Sequence, residues 1–273
     1  MMSLLLLGLS IAPVIFLLLF IYKQDKYEKE PIGLLLLAFF GGMVAIPIDL
    51  ILVSMVNVAY YSESVFYCAF IEAGFCEELC KFIVLFLLIW WNKNFNEHMD
   101  GIVYAAFVGL GFACVENVMY VLQAGSVGLG SGLGTGVIRG LLSVPGHFLF
   151  AVVMGYFFSL AKFSENGRFG YLLASLFAAA AVHGLFDWLL MISDFIGPVL
   201  GLIVFALFIW GDIKLWKLGV KYIRKHQESS PFKDQEPPED FPPQQPQQPR
   251  QPYYYPNNEP EYKHIDWNAG DKY

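Results

Sequence analysis

Seven runs of apolar residues, each about as long as a bilayer core is thick, constrain this chain more than any other feature. They cover residues 3–22, 32–60, 66–91, 101–124, 137–161, 169–192 and 195–216. A helix needs about 20 mostly apolar residues to cross the hydrocarbon core. Of 273 residues, 56% are hydrophobic and 15% charged, against about 45–50% and 25% in soluble domains. One water-facing fold cannot bury that excess, which excludes a soluble enzyme, a disulfide-stapled secreted domain and a mostly disordered chain. Cys68, Cys76, Cys80 and Cys114 lie inside apolar runs without a CxxC pair, so they form no disulfide framework. The expected fold is all-α: a polytopic membrane bundle of about seven transmembrane helices over residues 1–226.

The first run lacks a preceding basic residue and a small-residue cleavage site, and lysines follow it. It therefore reads as a retained helix with its N-terminus outside, not as a signal peptide. With seven spans, every Lys and Arg except Lys81 and Arg139 falls on one side, which is then cytoplasmic. The expected location is the plasma membrane. The glycine-rich stretch 125–136 reads as a flexible outer loop, not a nucleotide site. Residues 227–273 contain PPEDFPPQQPQQPRQPYYYPNNEPEY, where recurring proline prevents helix formation. That segment is expected to be a disordered cytoplasmic tail of polyproline character, suited to a proline-recognising partner. Nothing points to nucleic acid; the bilayer itself is the surrounding partner.

The chemistry lies in ionisable residues within the spans. Each costs about 2.5–3.5 kcal/mol at the bilayer centre and is a functional hypothesis by default. Asp49, Glu72, Glu77, Glu78, Glu116 and Asp187 face only Lys81 and Arg139 as permanent cations, with His147 and His183 nearby in the same layer. Glu77 and Glu78 stand four and three residues before Lys81, spacings that bring side chains together on a helix. Arg139, Ser143 and His147 form an i, i+4, i+8 stripe, and His183 and Asp187 an i, i+4 pair. Counted from the outer span ends at ~1.5 Å per residue, Glu116, His147, His183 and Asp187 lie about 8–15 Å deep. Glu77 and Glu78 lie slightly deeper.

A glutamate beside histidines in a wet, low-dielectric pocket can activate water, and histidine, asparagine or arginine can stabilise the oxyanion that follows. Two histidines with a carboxylate also satisfy a catalytic Zn2+ with one position open for water. No GxSxG, HExxH or GxGD motif is present. Other classes compatible with intramembrane carboxylates are a proton- or cation-coupled transporter and a non-catalytic sensor or scaffold. No inverted repeat or paired broken helices speak for transport. Asp49, two residues after Pro47, lines the cavity or fills a kink. Glu72 is expected to be hydrated near the outer interface, and Arg139 to snorkel there. His98 and His264 are expected in aqueous segments and His226 follows a basic run, all three without a role, and Cys76 and Cys80 are expected to pack as small hydrophobes.

EELCK (77–81) fits an EExxK motif, FACVEN (112–117) fits FxxxEN and HGLFD (183–187) fits HxxxD. Arg139, His147 and Gly155 fit an Arg, His, Gly series at eight-residue intervals, and DKYEKEP (25–31) fits a juxtamembrane segment. Together, over roughly residues 20–192, these resemble the PrsW family of intramembrane proteases, distant relatives of the CAAX prenyl endopeptidases. The resemblance implies a peptidase cutting single-pass membrane proteins. The best-known family activity is the first, extracytoplasmic cut in an anti-sigma factor during stress signalling. It further implies Glu77 or Glu78 as the base, with His147 and His183 for oxyanion stabilisation or metal ligation. Lys81 would support the glutamates, Glu116 and Asp187 would orient or ligate, and Asn117 would bind the substrate carbonyl. Arg139 would be a supporting residue. The prenyl-protease relatives favour a metal-free glutamate mechanism, whereas the family is often called metalloprotease.

Overall fold

The computed structural model describes residues 2–193 and 197–233. Its helices are α1 (Met2–Gln24), α2 (Ile32–Ala59), the short α3 (Val65–Tyr67), a π-helix (Cys68–Glu77) and α4 (Glu78–Ile89). They continue with α5 (His98–Val127), α6 (Leu129–Leu141), α7 (Ser143–Phe163), α8 (Arg168–Ser193) and α9 (Pro198–Glu228). No strand occurs among the described residues. Taking α3, the π-helix and α4 as one rod, and α6 with α7 as another, seven rods occupy the seven apolar runs. Five are by themselves long and apolar enough to cross a membrane: Ser3–Gln24, Ile32–Ala59, His98–Val127, Leu129–Phe163 and Arg168–Ile192. The remaining two are the rod broken by the π-helix and α9, which carries Asp212, Lys214 and Lys217. Most of the proline-rich segment, residues 234–273, lies outside the described residues.

The bundle is built around α5 and α7. Every residue from His98 to Cys114 is buried, whereas α2 presents Leu36, Leu37, Phe40, Val44 and Ile51 outward, as a lipid-facing helix must. Glycine sets how closely these helices approach. A Cβ on Gly155 of α7 would collide with the backbone of Gly101 and Ile102, and one on Gly111 of α5 with the Phe39 carbonyl of α2. Main chains at that distance convert small residues into packing, the means by which helices associate when lipid supplies no hydrophobic drive.

At one end of the bundle, loop 25–31 turns two acids inward while Lys26, Tyr27, Lys29 and Pro31 stay exposed. Asp25, Glu30, Glu97 and Asp100 are all buried. The Glu30 amide donates to Asp25 Oδ2 at 3.3 Å, Tyr104 donates to Glu30, and Lys29 donates to the Tyr22 and Asp25 carbonyls. Glu97 and Asp100 form a reciprocal capping box that starts α5. Ser230 donates to Glu97, Gln227 to the Gln24 carbonyl, and His226 Nδ1 to the His98 carbonyl at 2.8 Å. His98 therefore belongs to a packed junction with His226 and not to an aqueous segment. The polar composition of these stretches hid their burial.

Burial lifts the carboxyl groups at this junction, Asp25 and Glu97 to about 7 and Glu30 to about 8. In an unfolded chain they would titrate near 4. Between those limits the native state holds more protons, so stability must fall as pH rises through the folded values. The melting temperature of the purified protein should therefore drop between pH 5 and pH 8. Glu30→Gln should flatten that slope and raise the melting temperature at pH 8.

Candidate active site

The π-helix decides where the two glutamates point. Its wider turn is uncommon and often marks a functional position. Gly74 lets this segment lie against the α8 backbone, since a Cβ there would press on the Ala180 carbonyl and the Gly184 amide. The π-helix ends at Glu77 and α4 begins at Glu78. Both carboxylates are thus delivered beside His183, one residue before Gly184.

Lys81 stands at the centre. Its Nζ lies 3.2 Å from Glu77 Oε2, 2.7 Å from Glu78 Oε1 and 3.1 Å from His147 Nδ1, above the Phe112 ring at 4.1 Å. An ammonium only donates, so His147 Nδ1 accepts and its Nε2–H donates to Glu116 Oε2 at 2.7 Å. Arg139 Nη2 lies 2.8 Å from the same Glu116 oxygen, and Arg139 Nε donates to Asn117 Oδ1 at 3.1 Å. On the other side His183 Nδ1 donates to Glu78 Oε1 at 2.9 Å, and His183 Nε2 lies 3.5 Å from Asp187 Oδ2. Phe150 stacks on His183 at 4.5 Å, and the two imidazoles meet edge to face at 5.1 Å.

The cluster has a closed floor and an open side. The side chains of Glu78, Lys81, His147 and His183 are at most 4% exposed, whereas those of Glu77, Glu116, Arg139 and Asp187 are 13–22% exposed. The eight ionisable residues named by the motifs converge, from the π-helix junction, α5, α6, α7 and α8. Three expectations are corrected. Arg139 does not snorkel outward; it pairs with Glu116 and lies over the Tyr120 ring at 4.1 Å. Asn117 is fully buried, and its amide donates to the Ser10 carbonyl at 2.8 Å. It braces α1 against α5, so its amide is engaged within the fold instead of being held ready for a substrate carbonyl. The glycine-rich stretch 125–136 is not a flexible loop, because Gly125 and Gly132 bring α5 and α6 into backbone contact and α6 stays helical. Glu72 is tied to Asn57 Nδ2 at 2.6 Å.

Ligand atoms of Glu77, Glu78, His147 and His183 all lie within 4.8 Å of one another. Two imidazoles and two carboxylates are a donor set that transition metals accept, and Glu78 Oε2 is buried with no hydrogen-bond partner. These residues fit a metal ion. Glu116 and Asp187, for which the sequence left ligation or orientation open, face the Nε2 atoms of His147 and His183, the position of groups that orient imidazoles.

A glutamate pair beside two histidines inside a membrane bundle is the equipment of an intramembrane hydrolase, and relatives specify the class. Residues 30–211 match a family described as PrsW family intramembrane metalloprotease. Protease PrsW of Geobacillus kaustophilus is 36% identical over 231 residues, covering 84% of this chain and 98% of that protein. Protease PrsW of Bacillus subtilis is 33% identical over 218 residues, covering 79% and 93%, and that of Clostridioides difficile 32% over 228 residues, covering 81% and 91%. No solved structure matches. The chain belongs to the PrsW family and is a membrane-embedded peptidase.

Removing one partner of a buried ion pair strands the other charge and costs about 3–5 kcal/mol. Lys81→Met should therefore lower the melting temperature in detergent sharply. Adding Glu77→Gln and Glu78→Gln should restore most of the loss.

Proposed function

We propose that this peptidase cleaves single-pass membrane proteins, anti-sigma-factor-like by family resemblance, near their outer membrane boundary, with Glu77 as the base that activates water. The observation that carries this reading is the contrast between the two glutamates. Glu78 Oε1 is shared by Lys81 and His183, and its side chain is 1% exposed. Glu77 contacts Lys81 at the longer distance and is open at 13%, where water and a peptide can reach it. Segregation of Lys and Arg supports an N-terminus outside and a cytoplasmic proline-rich tail.

Glu77 takes a proton from water as the oxygen attacks the scissile carbonyl carbon. As Glu77 takes up the proton its hold on Lys81 weakens, and the Lys81 N–H released from it meets the negative charge that develops on the carbonyl oxygen, while Glu78 keeps the ammonium and the His183 ring in place. When the C–N bond breaks, the Glu77 carboxyl returns its proton to the leaving amine, which restores the carboxylate. Glu116 holds His147, and through it the direction of the Lys81 ammonium. A metal ion held by Glu77, Glu78, His147 and His183 would supply Lewis-acid polarisation and a more acidic water.

Purified full-length protein in detergent, given a labelled single-pass protein, should release one outer fragment. Glu77→Gln should reduce the rate by about 100-fold or more at unchanged folding. Continued cutting by the Glu77→Ala, Glu78→Ala double variant would defeat the assignment.

A further inference from the structure

Peptide hydrolysis needs an unwound substrate, because a helical amide is folded into its own hydrogen-bond ladder. Once unwound in the cavity, the substrate's N–H groups lose their helical acceptors, and each one left unpaired away from water costs several kcal/mol. Soluble proteases solve this by letting the substrate add to a sheet edge. The described residues contain no strand, so they offer no sheet edge, and a side-chain oxygen can take that part. Each carboxylate of the cluster has one oxygen engaged: Glu77 Oε2 by Lys81, Glu78 Oε1 by Lys81 and His183, Glu116 Oε2 by Arg139 and His147, Asp187 Oδ2 by His183.

Asp49 differs. It sits on α2 two residues after Pro47 and is 7% exposed, and its Oδ1 is buried with no hydrogen-bond partner. Ala45 and Ile46, on the same stripe of α2, pack against Cys80 and Phe112, and Leu52 joins that cluster one turn further on. Lys81, Glu116, His183 and Glu78 all lie within electrostatic reach of the Asp49 carboxylate. A buried carboxylate oxygen without a hydrogen bond is unfavourable for folding; Lys81 and His183 attract the charge, but no donor among the described residues takes up Oδ1. We infer that Asp49 is a substrate-binding residue whose carboxylate accepts a backbone N–H of the unwound substrate beside the scissile bond.

This inference rests on the peptidase reading above, and two readouts separate their failures. The first is cleavage of a labelled single-pass protein by full-length enzyme carrying Asp49→Asn or Asp49→Leu. Asn keeps a carbonyl acceptor and should leave kcat/KM within about threefold, whereas Leu should raise KM by about tenfold at nearly unchanged kcat. The second is binding of a fluorescent synthetic transmembrane peptide in the Glu77→Gln background, which needs no turnover. There Asp49→Leu should weaken binding by about the same factor. Asp49→Leu should also melt at a higher temperature than the parent, since it removes an unpartnered carboxylate; a structural Asp49 would give a lower one. Unchanged KM and binding in Asp49→Leu overturns the inference. So does an equal loss in Asp49→Asn, which would mean that charge and not acceptance matters. Absence of cleavage with intact, Asp49-dependent binding would instead overturn the peptidase mechanism.

Discussion

One ammonium group, Lys81 Nζ, is shared by two glutamates and a histidine, and the site's geometry follows from it. A buried charge is tolerable only when it is paired and its remaining hydrogen bonds are satisfied. Lys81 spends its protons on Glu77, Glu78 and His147, and Phe112 offers its ring face on the remaining side. Each partner is then oriented in turn: Glu78 fixes His183, and His147 is fixed from behind by Glu116 and Arg139. Five separate segments of chain become answerable to one cation.

Backbone proximity makes such sharing possible. Gly74 brings the π-helix onto α8, Gly111 brings α5 onto α2, and the Gly101–Gly155 contact joins α5 to α7. The side chains of the cluster have little freedom left once these crossings are made. That rigidity is what a hydrolytic site requires, because donors must already stand where charge will develop.

Much of this was legible beforehand because two signals are local. Span length and hydropathy located the rods, and the i, i+3 and i, i+4 spacings put Glu77, Glu78 and Lys81 together and His183 beside Asp187. Tertiary facts were not legible. Nothing in CAFIEAGFCE announces a π-helix, since the extra residue per turn is stabilised by packing on α8. GSGLGTG reads as a loop by propensity, yet α6 is helical because its glycines pack against Gly125 and Leu9. Glu30, Glu97, His98 and His226 look solvated by composition and are buried by contacts between distant segments. Asp49 had two readings open from sequence, and its unpartnered oxygen favours the one that faces the cluster.

The central claim is that Lys81 joins the two sides of this site across 66 residues of sequence. A double-mutant cycle on thermal or denaturant stability in detergent, using Lys81→Met and His147→Phe singly and together, tests it most directly. Contact at 3.1 Å predicts a coupling energy of about 1 kcal/mol or more, whereas additivity within about 0.3 kcal/mol would mean that the two groups do not meet.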